Sequence, residues 1–422
     1  MATRGNHQPV FAFELPDGSE SRAGTTGIYA VLDGANAVTA TSKLGAVPDM
    51  EFFAVPGTDP PVPFDVFPGS PSVTDDGTIA FKGNYTENGV PKTGAFFRRI
   101  LNTPGGGSEP AEVLATSDTE IPRALPSSGY KMRTFGSVAP PSAHGDYAVF
   151  VALDNEERPK YGGIYLARLK DRPPIEALVE IGKPVPGLSL PALTSIGEAL
   201  SFDGRFIAFW GSWGGQTKRV RLYCPEEGNQ DRREYCKGGD PNSRFDKEVE
   251  QWYQEKKVPV NQALFLYDLY TRTAEVIASS IEFDDFIFWV YSGMVPGVGH
   301  EAEETDGEEP RWRSSAYVSV SDGLVAFKAR TGYLDKKNVY FEPIDGIYLK
   351  EPATGPEIST LVETGMDGGI LDPEMPFGLR QVFPITEVGI EREGLRGIFL
   401  AINAKMGTEE DGWGGIYLAE LR

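Results

Sequence analysis

His300 is the residue in this sequence best suited to acid–base work. It is one of three histidines and lies in a long polar segment, PGVGHEAEETDGEEPRWR, with Arg311, Trp312 and Arg313 just downstream. An imidazole titrates near neutrality by default, so it can both take and give a proton at physiological pH. His7 sits in the N-terminal arm, and His144 stands where related turns carry Asp, so a turn-forming role is expected there. Cations and indoles gather on loops and strand ends that the repeat pattern directs to the same side: Arg133, Lys328, Arg330 and Arg380, with Trp210 and Trp213 and the phenol of Tyr130. Tryptophan stacks on sugar faces and arginine forks onto carboxylate or sulfate, so this combination suits an acidic saccharide. The competing expectation is that these cations pair with local acids such as Glu301, Glu303, Glu304, Asp306, Glu308 and Glu309.

Other chemistries have less support. No phosphate-binding glycine loop, no histidine-rich zinc motif and no G-x-S-x-G nucleophile elbow occurs, and Gly105-Gly106-Gly107 lies outside any strand-to-helix context. No resident metal or cofactor is expected. Calcium is the one ion the acidic run Glu301–Glu309 has the oxygen ligands for, although it lacks the spacing of a known calcium loop. A hydrolase would need two carboxyl groups roughly 5 to 10 Å apart in one pocket. Acids are too abundant here to nominate the pair.

The charge balance sets the partners. With 61 acidic against 40 basic residues the formal net charge is −21. Nucleic-acid backbones and anionic membranes reward the opposite sign, so neither is expected as a partner. No stretch approaches the roughly 18 apolar residues of a membrane span. The N-terminus, MATRGNHQPVFAF, lacks the apolar core of a signal peptide, so the protein is either intracellular or has lost its leader. Cys224 and Cys236, the two cysteines, are close together in a polar loop, which suits a disulfide closing a short loop and implies secretion. Extracellular localisation with the leader absent, and a monomer, are therefore expected. The sequon Asn84-Tyr85-Thr86 falls on an expected loop and is compatible with glycosylation.

The elements that must hold these residues come from a repeat. The segment PSVTDDGTIAFKGNYTENGVPKTGAFF combines an apolar run, a tight Asp-Asp-Gly turn, a second apolar run, a polar loop and an aromatic strand. Two strands joined by a tight turn and a third reached over a loop make most of a propeller blade. Second-strand markers recur at Phe13, Phe81, Phe150, Phe209, Phe327 and Leu400, at intervals of 68, 69, 59, 118 and 73 by subtraction. Third-strand aromatics follow at Tyr29, Phe96, Tyr165, Phe265, Tyr348 and Tyr417. The second-to-third spacing is 15 to 21 residues except between Phe209 and Phe265, where it is 56, so about 40 residues are inserted in the fourth unit.

The expected fold is all-β: a single propeller over residues 1–422 with six four-stranded blades, seven being the alternative. The insertion, residues 211–262, carries the cysteine pair, and SRFDKEVEQWYQEKK reads as a short helix with Phe245, Val249 and Trp252 on one face. Tight turns at Asp75-Asp76-Gly77, His144-Gly145-Asp146, Asp203-Gly204, Asp322-Gly323 and Glu393-Gly394 mark one end of the units. Long loops collect at the other, where binding residues usually sit. The N-terminal residues are expected to complete the last sheet or to lie next to it.

The pairing of PSVTDDGTIAFKG with GIYL resembles secreted microbial β-propeller proteins, and the cationic, aromatic loop end is similar in kind to propeller polysaccharide lyases acting on uronic-acid polymers. The resemblance covers all six units as architecture and matches no catalytic motif. It implies β-elimination, in which a cation neutralises the uronate carboxylate and a base removes the C5 proton. Arg311 or Arg313 would neutralise, and His300 or Tyr130 would be the base. The alternative is a non-catalytic propeller that binds saccharide or protein over the same end.

Overall fold

Runs of alternating β-branched and aromatic residues five to ten long, punctuated by Asp-Gly pairs, leave the chain little choice but antiparallel strands. The structure, a computed structural model, describes residues 2–5, 11–14, 20–23, 27–31, 38–46, 49–100, 109–123, 132–156, 158–225, 230–283, 289–292, 295, 309–314, 317–334, 340–351, 357–373, 383–407 and 412–421. Within them the protein is all-β, with one short α-helix and no sheet closed on itself. Two compact units partition it: Met1–Ile207 with Asp268–Thr273, and Ala208–Tyr267 with Ala274–Arg422.

In the first unit, β1 (Ala2–Gly5), β4 (Gly27–Ala30) and β5 (Val38–Ser42) form a sheet, while β2 (Phe11–Glu14) and β3 (Glu20–Ala23) make a separate hairpin. The N-terminal strand thus pairs with β4, Ala2 opposite Ala30, rather than completing the last sheet. Closing a loop of some two dozen residues costs less conformational entropy than closing one of several hundred. The second sheet is the four-stranded meander β6 (Ser72–Val73), β7 (Thr78–Glu87), β8 (Val90–Arg99) and β9 (Glu112–Thr116). The third contains β10 (Ser137–Val138), β11 (Ser142–His144), β12 (Tyr147–Leu153), β13 (Gly162–Arg168) and β14 (Ile175–Glu180).

The fourth sheet has the order β15 (Leu193–Phe202), β16 (Phe206–Tyr223), β18 (Gln251–Asp268), β17 (Arg244–Asp246), with β19 (Thr273–Ser279) also paired to β18. Helix α1 (Gln230–Glu234) lies between β16 and β17. The second unit continues with the hairpin β20 (Trp289–Ser292) and β21 (Arg311–Ser314), the meander β22 (Val318–Ser321), β23 (Leu324–Leu334), β24 (Tyr340–Lys350) and β25 (Ser359–Glu363), and the three-stranded sheet β26 (Ile385–Arg396), β27 (Phe399–Gly407) and β28 (Gly412–Glu420).

The marker aromatics are direct cross-strand partners: Phe81 faces Phe96, Phe150 faces Tyr165 and Phe327 faces Tyr348. Such pairs are the unit of sheet stabilisation. In the last sheet Tyr417 faces Ile402 and not Leu400, because β26 runs on through Glu393-Gly394 and turns at Gly397-Ile398. A register shift between Ile390 and Leu395 absorbs the difference. The Asp322-Gly323 turn takes positive φ at both residues, 51° and 81°, as a two-residue hairpin loop requires.

Sheets pack face to face. Ala80, Ala95 and Phe97 of the second sheet bury themselves against Phe150 and Tyr165 of the third and against Phe135 in the connection that precedes it. Buried serines ahead of three of the second strands add polar links. Ser72 Oγ accepts from Ala143 N at 2.9 Å and donates to its carbonyl, and Ser142 Oγ accepts from Phe202 N at 3.0 Å. Ser319 Oγ accepts from Leu395 N at 2.9 Å and donates to the Arg392 carbonyl at 3.0 Å. The last sheet differs on its outer side: Ile416 and Leu418 are 80% and 71% exposed, whereas Ile347 and Leu349, in the same places of the GIYL repeat, are 0% and 6%.

Two local expectations are corrected. Asn84 lies within β7, its backbone paired both to Thr93 and, through a bridge, to Val66, so the sequon is in a sheet and not on a loop. Residues 244–268 contain β17 and β18, joined by a turn at residues 247–250, in place of the expected helix. Phe245 and Trp252 are seven residues apart, which fits one face of a helix and equally a cross-strand pair, and cross-strand pairing with rings 5.5 Å apart is what forms.

Candidate functional site

On β23, Lys328 and Arg330 are two residues apart and therefore share one face of the strand, while Phe327 and Ala329 turn into the core. Arg330 faces Asp345 directly across the ladder. The guanidinium grips the carboxylate on both sides, Nε to Oδ1 at 2.6 Å and Nη2 to Oδ2 at 3.0 Å, and Lys328 Nζ stands 3.9 Å from the same carboxylate. Burial pushes the Asp345 carboxyl up, but the charge and hydrogen bonds of Arg330, with Lys328 behind, outweigh it and hold the group at about 2. Two cations around one carboxylate leave a surplus positive charge on a chain whose net charge is −21. Arg330 also lies over the ring of Trp312, 5.9 Å from its centroid. Trp312 is 5% exposed and its Nε1–H meets no acceptor.

Trp312 faces Tyr291 across the β20–β21 hairpin, rings 5.4 Å apart, and joins the apolar cluster of Val220, Leu222, Val258 and the cystine. Cys224 and Cys236 are disulfide-bonded, Cα atoms 5.7 Å apart. Beside the cystine, buried Asp240 accepts from Gln254 Nε2 at 2.7 Å, Tyr291 Oη at 3.0 Å and Asn242 N at 2.9 Å. Burial would raise the Asp240 carboxyl, but those donors hold it below the usual range. The Tyr291 hydroxyl is pushed up, by burial first and by Asp240 second. The disulfide thus closes the insertion on itself, and the Asp240 hub ties it to Tyr291 of the β20–β21 hairpin.

The structure places the sequence-nominated residues unevenly. Trp210 and Trp213 are packed inside the second unit: Trp210 donates from Nε1 to Gln262 Oε1 at 3.0 Å and Trp213 lies against Phe265. Their ring faces are covered, so they serve as core and not as an open stacking platform. Arg133, in the first unit, lies 4.1 Å from the centroid of the Tyr161 ring. Lys328, Arg330 and Trp312 come together as described, with Arg311 adjoining Trp312 on β21. Arg313 belongs to β21 by its backbone, opposite Val290, and its side chain is outside the described set. His300, Tyr130 and Arg380 lie outside the described residues. His144 packs its ring against Gly204 and Phe202, a structural role. Among the described residues no group of three His, Cys, Asp or Glu is arranged to hold a metal ion, and no helix is long and apolar enough to cross a membrane.

A second cluster was not nominated from the sequence. On the far ends of β16 and β18, Arg221 stacks 4.6 Å from the centroid of Tyr253 and binds Asp246 at 2.7 Å, Tyr223 meets Tyr253 edge-on, and Arg219 reaches Glu255 at 3.4 Å. The helical reading of residues 243–257 hid it, since the shared face exists only with period two.

No family model matches the chain, and no curated protein matches it. Among solved structures it is similar to that of MPT-4, a mannose phosphorylase from Leishmania mexicana, in complex with phosphate ion, at 10% identity over 83% of this chain and 81% of the other, with a TM-score of 0.25. A likeness at that level carries neither fold nor activity across.

Proposed function

We propose that the chain is a six-bladed β-propeller that works outside the cell and binds an acidic, uronic-acid-containing saccharide. The repeated meanders, the in-register aromatic pairs and the serine links between consecutive sheets support the propeller reading. The disulfide supports an oxidising compartment. The observation that carries the ligand class is the group Lys328, Arg330 and Trp312 around the single carboxylate of Asp345. Because Arg330 is already committed to Asp345, Lys328 supplies the surplus charge for a ligand carboxylate. Propellers serve binding and catalysis alike, and the groups required for β-elimination, His300 or Tyr130 with Arg311 or Arg313, extend this reading to a lyase.

The test is a panel of acidic and neutral polysaccharides, with binding read by affinity electrophoresis and lysis by the ultraviolet absorbance of an unsaturated product. Retention by polyuronates over neutral glucans, weakened in Lys328→Gln, is the expected result. Equal retention by both classes, or by neither, would overturn the ligand assignment. Product formation lost on replacing His300 or Tyr130 would establish the lyase; binding with no product would leave a binding module.

A further inference from the structure

We infer that the outer face of the disulfide-braced insertion is the surface along which an acidic polysaccharide chain lies. The inference builds on the acidic-saccharide reading above and places the contact at a second, larger surface. The three strand ends run side by side in the order β16, β18, β17. One face is apolar: Val220, Leu222, Cys224 and Val258, with Trp252 alongside, pack against Tyr291 and Trp312. Side chains alternate across a strand, so the odd-numbered residues of β16 and β18 and the partners of Tyr253 on β17 form the opposite face. It carries Arg219, Arg221, Arg244 and Lys257 with Tyr223 and Tyr253, against the two carboxylates Asp246 and Glu255. Arg244, Lys257 and Arg219 are exposed, the Arg219 side chain at 68%.

Four cations against two acids make this face net positive on a chain of −21. The bland account is a solvated face whose charges pair among themselves. Two geometric facts favour a ligand surface. Arg219 meets Glu255 at 3.4 Å, a loose and exposed pair that a ligand carboxylate can replace at little cost. Arg221 lies over the Tyr253 ring and is anchored by Asp246, which fixes an arginine beside a tyrosine before any ligand arrives. Along a strand, alternate residues repeat at about 6.5 Å, and neighbouring strands stand about 4.8 Å apart, so the arginines form a shallow grid open at both ends. A flat open grid suits a chain with a carboxylate on every sugar better than one small anion. The cystine and the Asp240 hub hold the apolar side, so the grid is presented by a rigid support.

The experiment uses the full chain with polygalacturonate, its neutral methyl ester and poly-glutamate, at low and moderate salt. The double variant Arg219→Glu, Arg244→Glu alters exposed positions; circular dichroism and the melting temperature confirm that it folds. Polyuronate binding by the wild type that falls at least tenfold in this variant, with a shallower salt dependence and no binding of the methyl ester, is the expected result. Wild-type binding that is unchanged in Arg219→Glu, Arg244→Glu but lost in Lys328→Gln overturns the surface while leaving the saccharide reading intact. No polyuronate binding by the wild type overturns that reading itself. Poly-glutamate held as tightly as polyuronate overturns the assignment to saccharide.

Discussion

Arg330 and Asp345 face each other across the β23–β24 ladder and are joined by two parallel hydrogen bonds, 2.6 and 3.0 Å long, with Lys328 at 3.9 Å from the same carboxylate. The pair spends one of the two local cations on the fold, and the second stands at the edge of the same carboxylate.

Its pH dependence has a definite sign. The carboxyl is depressed from 3.8 to about 2 in the folded state, so its stabilisation is present above pH 4 and is lost as the pH falls from 4 towards 2. The depression corresponds to about 2 kcal/mol. Asp345→Asn is expected to lower stability by about 2 to 3 kcal/mol at neutral pH and to flatten the acid limb of the stability curve between those values, measured by urea denaturation. An unchanged acid limb would sink the assignment.

Opening the disulfide removes the covalent brace of the insertion. Cys224 and Cys236 are 12 residues apart, a loop length for which the chain-entropy model gives about 3 kcal/mol. The double replacement by serine is expected to lower the melting temperature by several degrees and to weaken polyuronate binding through the loosened support. Calorimetry with and without reductant reads the first effect, and affinity electrophoresis the second.

The serine links predict a position-specific cost. Ser319 is fully buried and bridges the Leu395 N–H and the Arg392 carbonyl. Ser319→Ala leaves both backbone groups short of a partner and is expected to cost about 1 to 3 kcal/mol. Ser321, an edge residue whose hydroxyl accepts from exposed Gly397 N, should cost a small fraction of that when changed to Ala. Equal effects at both positions, read by denaturant midpoint, would show that the buried bridge contributes nothing special.

Gly204 couples to His144. Its φ is +100°, and a Cβ there would sit 2.5 Å from His144 Cδ2. Gly204→Ala should destabilise by about 1 to 3 kcal/mol through backbone strain and steric clash together. In the double variant with His144→Ala the clash is removed and the strain is not, so a double-mutant cycle is expected to show a favourable coupling. Additive losses would mean that the ring moves away freely.

Strand content, the aromatic markers, the tight Asp-Gly turns and the cysteine pair were legible because each is a local signal: alternation, positive φ at Gly, and spacing. Arg330–Asp345 was not, since its existence depends on the register of two strands separated by a loop of unspecified geometry. The indoles of Trp210 and Trp213 suit sugars by type, yet sequence does not say which side of a strand end is roofed over. The insertion failed for another reason. Phe245, Val249 and Trp252 satisfy helical spacing, and the alternation that places Arg221, Tyr253 and Arg244 together becomes visible only once Phe245 and Trp252 are known to pair. The serine links do have a local signal: Ser72, Ser142, Ser201 and Ser319 precede their aromatic markers by eight or nine residues.

Strand β28 ends its sheet among the described residues, with Ile416 and Leu418 turned outward. A bare, greasy border of this kind invites a like border on another molecule. Mutual repulsion between strongly negative chains then acts as the main safeguard of colloidal stability, so shielding by salt or acidification towards the isoelectric point of about 4.7 brings such borders into contact.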